Sequence, residues 1–168
     1  MLPTIRLKEK AERRLKGGHL WVYSNEVDIQ STPLKGLPAG SEAVIETSAG
    51  KALGRAVLSP EQLICARLYS RDGKQPLDAS FIVHRLKIAL SSRELWYPDQ
   101  CYRWVYGDSD SLPGLVIDRF MDVVVVQISS AAMEARRQDI IDAINKVAKP
   151  SCIVLKNDGK LRAVEGLE

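Results

Sequence analysis

The sequence predicts an α+β protein, a compact mixed β-barrel followed by a small α/β domain, and three observations carry this. Short apolar-alternating runs separated by proline and glycine turn signals fill residues 1–72, with one early helical stretch among them. A turn-rich break, Asp72-Gly73-Lys74-Gln75-Pro76, is followed by a switch to helical periodicity. The apolar block Val123-Val124-Val125-Val126, suited to a strand covered on both faces, then precedes an amphipathic helical pattern. The expected organisation is a first domain over 1–72, a linker with a helix over 73–98, and a second domain over 99–168. The second domain reads strand–strand–helix–strand and looks broken off before a further element.

The elements follow in order. Thr4 to Lys8 alternates apolar and charged residues and reads as a strand. Glu9 to Lys16 reads as a short helix with Ala11 and Leu15 on one face, ended by Gly17-Gly18. Leu20 to Tyr23 is β-prone, and residues 31–41, STPLKGLPAGS, must be loop. Glu42–Thr47 and Ala52–Leu58 form a hairpin around Ser48-Ala49-Gly50-Lys51, and Leu63–Tyr69 gives a further strand. From Asp78 the spacing of Phe81, Ile82, Arg85, Leu86, Ile88, Ala89 and Leu90 predicts a helix to about Trp96, capped by Asp78 or Ser80 and stopped before Pro98. Strands are predicted at Cys101–Tyr106, Leu115–Asp118, Val123–Ser129 and Cys152–Lys156. One continuous helix, Ala131–Val147, buries Ile140, Ile141, Ile144 and Val147, and little structure is expected after Asn157-Asp158-Gly159.

Composition narrows the function classes. The 168 residues are 45% apolar and 27% charged with a net charge of +3, ordinary for a globular protein and permissive of an anionic partner. Cys65, Cys101 and Cys152 are odd in number and show no CxxC or Cys/His spacing. Neither zinc nor a disulfide framework is indicated, and they read as small apolar residues in a reducing cytoplasm. The apolar runs are too short to span a bilayer and no cleavable leader is visible, so a cytoplasmic protein without a membrane partner is expected. Oligomeric state is not legible.

The stretch Ile5–Tyr23 concentrates cations, a glycine pair and aromatics. Arg6, Lys8, Lys10, Arg13, Arg14 and Lys16 face only Glu9 and Glu12 there. Cations neutralise phosphates, glycines let a backbone approach closely, and aromatic faces stack on bases. Lys10, Arg13, Arg14, Lys16, Gly17, Gly18, His19 and Trp21 are therefore the candidate nucleic-acid-binding residues. The competing reading is a solvated helix face. Trp21 and Tyr23 alternate with Leu20 and Val22, so one pair must face the core. His84 reads as structural. Asp108, Asp110 and Asp118 could hold a divalent cation, but Asp-Ser-Asp-Ser-Leu-Pro-Gly is sufficient turn chemistry by itself.

Tyr102 to Arg119, YRWVYGDSDSLPGLVIDR, is the most individual stretch. With LKGGHLWVYSNEV, GRAVLSP and ICARLYSR before it, it resembles the class I S-adenosylmethionine-dependent methyltransferases of large-subunit ribosomal RNA that act on carbon 5 of cytosine. The matching residues are Arg103, Asp108 to Leu115 and Asp118. Asp108 stands where Glu is usual, and Ser111 where Gly is usual. The resemblance implies a PUA-type RNA-binding domain, then a central α/β domain whose turn (Arg103, Asp108, Asp110, Pro113, Gly114 and Asp118) sits between domains. It also implies a Rossmann-like catalytic domain, with its cysteine nucleophile and S-adenosylmethionine, beyond this chain. No glycine-rich cofactor loop follows a strand here. The resemblance implies that the chain alone binds RNA, of the large ribosomal subunit, without binding cofactor or catalysing. A stand-alone PUA-type adaptor module is the alternative, and a small metal-dependent hydrolase is disfavoured.

Overall fold

The computed structural model describes residues 2–168 and divides into two compact units, the first ending at Pro76 and the second running Leu77–Glu168. The first contains β1 (Thr4–Arg6), α1 (Glu12–Lys16), β2 (Trp21–Tyr23), β3 (Glu42–Glu46), β4 (Ala52–Leu58) and β5 (Ile64–Ser70). They form one sheet in the order β1-β3-β4-β5-β2, antiparallel except for the parallel β1–β3 pair. Its edges are drawn together by a bridge between Leu7 and Val27, flanked by Lys8 N–H to Glu26 O at 2.8 Å and Asp28 N–H to Arg6 O at 2.9 Å. The sheet thus curls around Ile5, Leu7, Val22, Ile45, Leu58 and Leu68, all but excluded from water. Leu15 joins that core from α1, which fixes the helix against the barrel by its one buried side chain. The helix begins at Glu12 rather than Glu9, because Lys10 adopts a left-handed φ of 69°.

The second unit holds α2 (Ala79–Trp96), β6 (Cys101–Tyr106), β7 (Leu115–Phe120), β8 (Val123–Ile128), α3 (Ala131–Glu134), α4 (Arg137–Ala148), β9 (Cys152–Leu155) and α5 (Lys160–Val164). Three strands precede the helical crossover, β6, β7 and β8. The sheet order is β6-β7-β8-β9, antiparallel except for the parallel β8–β9 pair. The helix expected within a linker belongs to this unit. Phe81, Ile82, Leu86 and Ala89 of α2 are buried, α2 packs on α4 and β6, and the indole N–H of the fully buried Trp104 donates to the Leu86 carbonyl at 3.0 Å. Asp78 is its cap, accepting from Phe81 N–H at 2.8 Å.

Three further expectations are corrected. The predicted helix over 131–147 is broken, since Arg136 N–H bonds to Met133 O at 3.1 Å and closes a tighter turn before α4 begins. Ile140, Ala143 and Ile144 are buried there, while Ile141 and Val147 are only half-buried. β8 is not covered equally on its two faces: Val124, Val126 and Ile128 are buried, and Val123, Val125 and Gln127 are half-buried. The last residues are structured, because the buried Arg162 of α5 donates to Ile128 O at 2.9 Å and pairs with Glu134 at 2.8 Å.

Candidate nucleic-acid interface

The basic stretch of the first unit is built on the end of α1. Gly17, Gly18 and His19 close that helix in a Schellman arrangement. Gly18 N–H reaches Leu15 O at 3.1 Å, and His19 N–H reaches Arg14 O at 3.1 Å. Gly18 has φ of +105° with open space where a Cβ would stand, so its backbone angle, and not crowding, requires glycine. The helix end is also held from the residue that follows β5. Arg71 donates to Leu15 O at 2.6 Å and to His19 O at 3.0 Å.

The candidate side chains fall into two groups. Lys10, Arg13, Lys16 and His19 are exposed, with Lys16 only loosely paired to Glu12 at 3.6 Å. Arg14 is partly committed to the fold: it pairs with Glu26 at 2.9 Å, and its guanidinium lies 4.8 Å from the Tyr23 ring centroid. Glu26 in turn accepts from Tyr23 N–H at 2.9 Å, so Arg14 braces the turn after β2. Val22 faces the core, which leaves Trp21 exposed and settles which residues of the alternating pairs point outward. Across the strand pair, Arg67 lies opposite Trp21 with its guanidinium 5.1 Å from the indole centroid. Sequence reading missed Arg67, which the β2–β5 register places beside Trp21, and Arg71, which reaches the end of α1 through long-range bonds.

The turn of the second unit is accounted for by its own bonds. Asp110 is buried, accepting from Tyr106 N–H and from Arg93, each at 2.7 Å, while its carbonyl accepts from Arg85 at 3.0 Å. Asp118 takes a two-point bond from Arg103 at 2.9 and 3.3 Å, which raises the Arg103 pKa above its ordinary value. Pro113 is buried and its carbonyl accepts from Ser130 Oγ at 3.0 Å, while the Gly114 carbonyl accepts from Ser129 N–H at 2.8 Å. Asp110 and Asp118 thus face arginines, and among the described residues no three ligating side chains converge on a cation site.

A match to the family model described as "PUA-like domain" covers residues 5–71. The first unit is a PUA-like domain. Along its whole length the chain is homologous to proteins named ribosomal RNA large subunit methyltransferase I. The one from Tolumonas auensis is 33% identical over 171 residues, covering 99% of this chain and 42% of that protein. The one from Pseudoalteromonas translucida is 33% identical over 172 residues, covering 100% and 42%. The chain therefore spans less than half the length of these relatives. A solved structure assigned as a SAM-dependent methyltransferase from Streptococcus mutans shares the fold, with a TM-score of 0.76 at 20% identity over 92% of this chain and 41% of its own. Within the PUA-like domain, the exposed cations sit on the helix–glycine turn and Trp21 sits on the sheet edge beside it in sequence.

S-adenosylmethionine is the cofactor such relatives imply, and the residues present do not fit it. In an α/β unit a nucleotide cofactor is cradled where a parallel strand turns into its helix. Here the turn from β8 into α3 holds Ser129 and Ser130 and no glycine run. Ser130 Oγ is already engaged with Pro113 O and with Met133 N–H, and Ser129 N–H with Gly114 O. No helix among the described residues is long and apolar enough to cross a membrane.

Proposed function

We propose that this chain is the RNA-binding portion of a ribosomal RNA methyltransferase acting on carbon 5 of a cytosine. In this reading it holds structured large-subunit RNA so that a catalytic domain outside these residues reaches one base. The observation that carries it is the exposed cationic surface of α1 on a PUA-like domain whose chain is homologous to ribosomal RNA methyltransferases. Lys10, Arg13 and Lys16 neutralise phosphates, His19 adds a contact beside the glycine turn, and Trp21 offers a face to a base. Affinity then comes chiefly from counterion release and falls with salt. Base extrusion, thiolate attack and methyl transfer belong to the catalytic domain, which also binds S-adenosylmethionine. The Arg103/Asp110/Asp118 turn keeps the central domain rigid for that docking. The setting is the cytoplasm.

Titration of fragments of large-subunit ribosomal RNA with the 168-residue chain tests this. Salt-sensitive binding is expected, and absence of binding at low salt would overturn it. Calorimetry with S-adenosylmethionine is expected to show no heat of binding to the chain alone.

A further inference from the structure

The second unit carries an aromatic surface that the reading above does not use. At the end of α2 and the adjoining β6, a cleft of about 330 Å³ is lined by Ser92, Arg93, Trp96, Tyr97, Arg103 and Tyr106. Trp96 is 79% exposed, Tyr106 57% and Tyr97 51%, a concentration of bare rings that folding of this unit leaves in water. The surrounding side chains are nonetheless fixed. Tyr97 stacks on the buried Tyr102 with centroids 5.8 Å apart, and its N–H is held by Arg93 O at 2.9 Å. The Arg103 guanidinium lies 5.2 Å from the Tyr106 centroid while its Nε and Nη2 are held by the two oxygens of Asp118. Arg93 is pinned likewise, by Asp110 at 2.7 Å and by the Arg103 carbonyl at 3.1 Å.

That pinning decides the chemistry. Each guanidinium already faces a carboxylate, so the cleft is close to neutral and offers little to a phosphate. What it offers is flat: two bare rings, a braced tyrosine and an arginine plane held beside one of them. Planar π-faces and guanidinium planes are what unpaired bases stack on. The volume sits at the small end of ligand clefts, suited to one ring system.

We propose that this cleft takes one unpaired base of the RNA, by stacking between Trp96 and the Tyr106–Arg103 pair. The proposal rests on the RNA-binding reading given above, and deepens it by dividing the labour. The first unit supplies phosphate contacts that weaken with salt, and the second supplies a stacking contact that does not.

The test titrates the whole 168-residue chain with a short single-stranded oligouridine, and with the same strand locked in a duplex, following fluorescence anisotropy. Trp96→Ala and Tyr106→Ala are each expected to weaken single-strand binding about tenfold without changing the salt slope. The duplex is expected to be indifferent to both. Leu95→Ala, at a neighbouring exposed position outside the cleft, should bind as the parent does. Because the rings are exposed, the variants are expected to keep the parental melting temperature. An oligomer carrying 5-iodouridine should crosslink to the peptides containing Trp96 or Tyr106. If Arg13→Glu weakens binding while Trp96→Ala and Tyr106→Ala do not, the cleft is refuted and the phosphate-binding reading stands. If instead these two variants weaken only a complex with the remaining part of the full-length protein, the cleft is a polypeptide contact and the proposal falls. If the parent chain binds no RNA, both readings fall.

Discussion

Arg71 Nη1 donates to the carbonyl oxygen of Leu15 at 2.6 Å, so the first residue after β5 caps a helix 56 positions earlier in the chain. A cation at a helix C-terminus meets both the orphan carbonyls and the negative end of the helix dipole. Its second donor holds His19 O, which fixes the path from the glycine turn into β2. Arg71→Ala is expected to destabilise the protein by about 1 kcal/mol. RNA affinity should fall with it, because the α1 surface loses its orientation. Chemical denaturation and an RNA titration on the same variant check the pair of effects; a stable variant with lost affinity would make Arg71 a direct ligand instead.

The two adjacent glycines are predicted to differ. Gly18→Ala puts a Cβ into a backbone with φ of +105° and is expected to cost about 1 to 2 kcal/mol. Gly17 has φ of −78°, and a Cβ there meets the Arg13 and Arg14 carbonyls only at 3.4 Å. Gly17→Ala should therefore be near neutral in denaturant midpoint. Equal losses at both positions would contradict the Schellman cap.

Arg13 and Arg14 are neighbours with different work. Arg13 is exposed, whereas Arg14 pairs with Glu26 and packs on Tyr23. Arg13→Glu is expected to weaken RNA binding and reduce the slope of log affinity against log salt by about 1, with an unchanged melting temperature. Arg14→Glu should lower binding and melting temperature together, since it sets two carboxylates against each other at the β2 turn. Measuring both quantities for both variants separates contact from support.

What was legible in the sequence follows from the range of the interaction. Strands in the first unit were read from alternation and turns, because both are local signals. Asp78 as cap of α2 and Gly17-Gly18 as the end of α1 were local too. The membership of α2 in the second unit was hidden, since it depends on Trp104 bonding to Leu86 across the fold. So was the division between Arg13 and Arg14, which turns on Glu26. The break before α4 rests on one tightened turn at Arg136 that the apolar period passes over, and α5 is held by Arg162 reaching Ile128 and Glu134. Tertiary bonds of this kind leave no periodic trace.

At the Leu-Pro-Gly turn, Gly114 and Ser111 invert the usual expectation. Gly114 has φ of +84°, and a Cβ there would stand 2.3 Å from Ser130 Oγ, the group that caps α3 by accepting from Met133 N–H. Gly114→Ala is expected to cost about 2 to 3 kcal/mol through strain and the displaced cap. Ser111 is a serine in the left-handed region at φ 62°, which glycine occupies without strain. Ser111→Gly should stabilise by about 0.5 to 1 kcal/mol. Urea midpoints for the two variants are predicted to move in opposite directions.

Cys65 gives the pH dependence. Its thiol is buried under the first unit's sheet, with Sγ 3.5 Å from Val22 O, and desolvation pushes its pKa from 9.0 to about 11. Cys101 and Cys152 are exposed. A thiol reagent at pH 8 is therefore expected to modify Cys101 and Cys152 quickly and Cys65 only after unfolding. The folded state keeps the Cys65 proton to higher pH than the unfolded chain does. Its contribution to stability is thus complete below pH 9.0 and is lost as pH rises towards about 11. The full loss corresponds to about 2 to 3 kcal/mol at most, from about 1.4 kcal/mol per unit of pKa. Melting temperatures across that range should fall more steeply in the parent than in Cys65→Ala, and parallel curves would show that the thiol ionises freely in the folded protein.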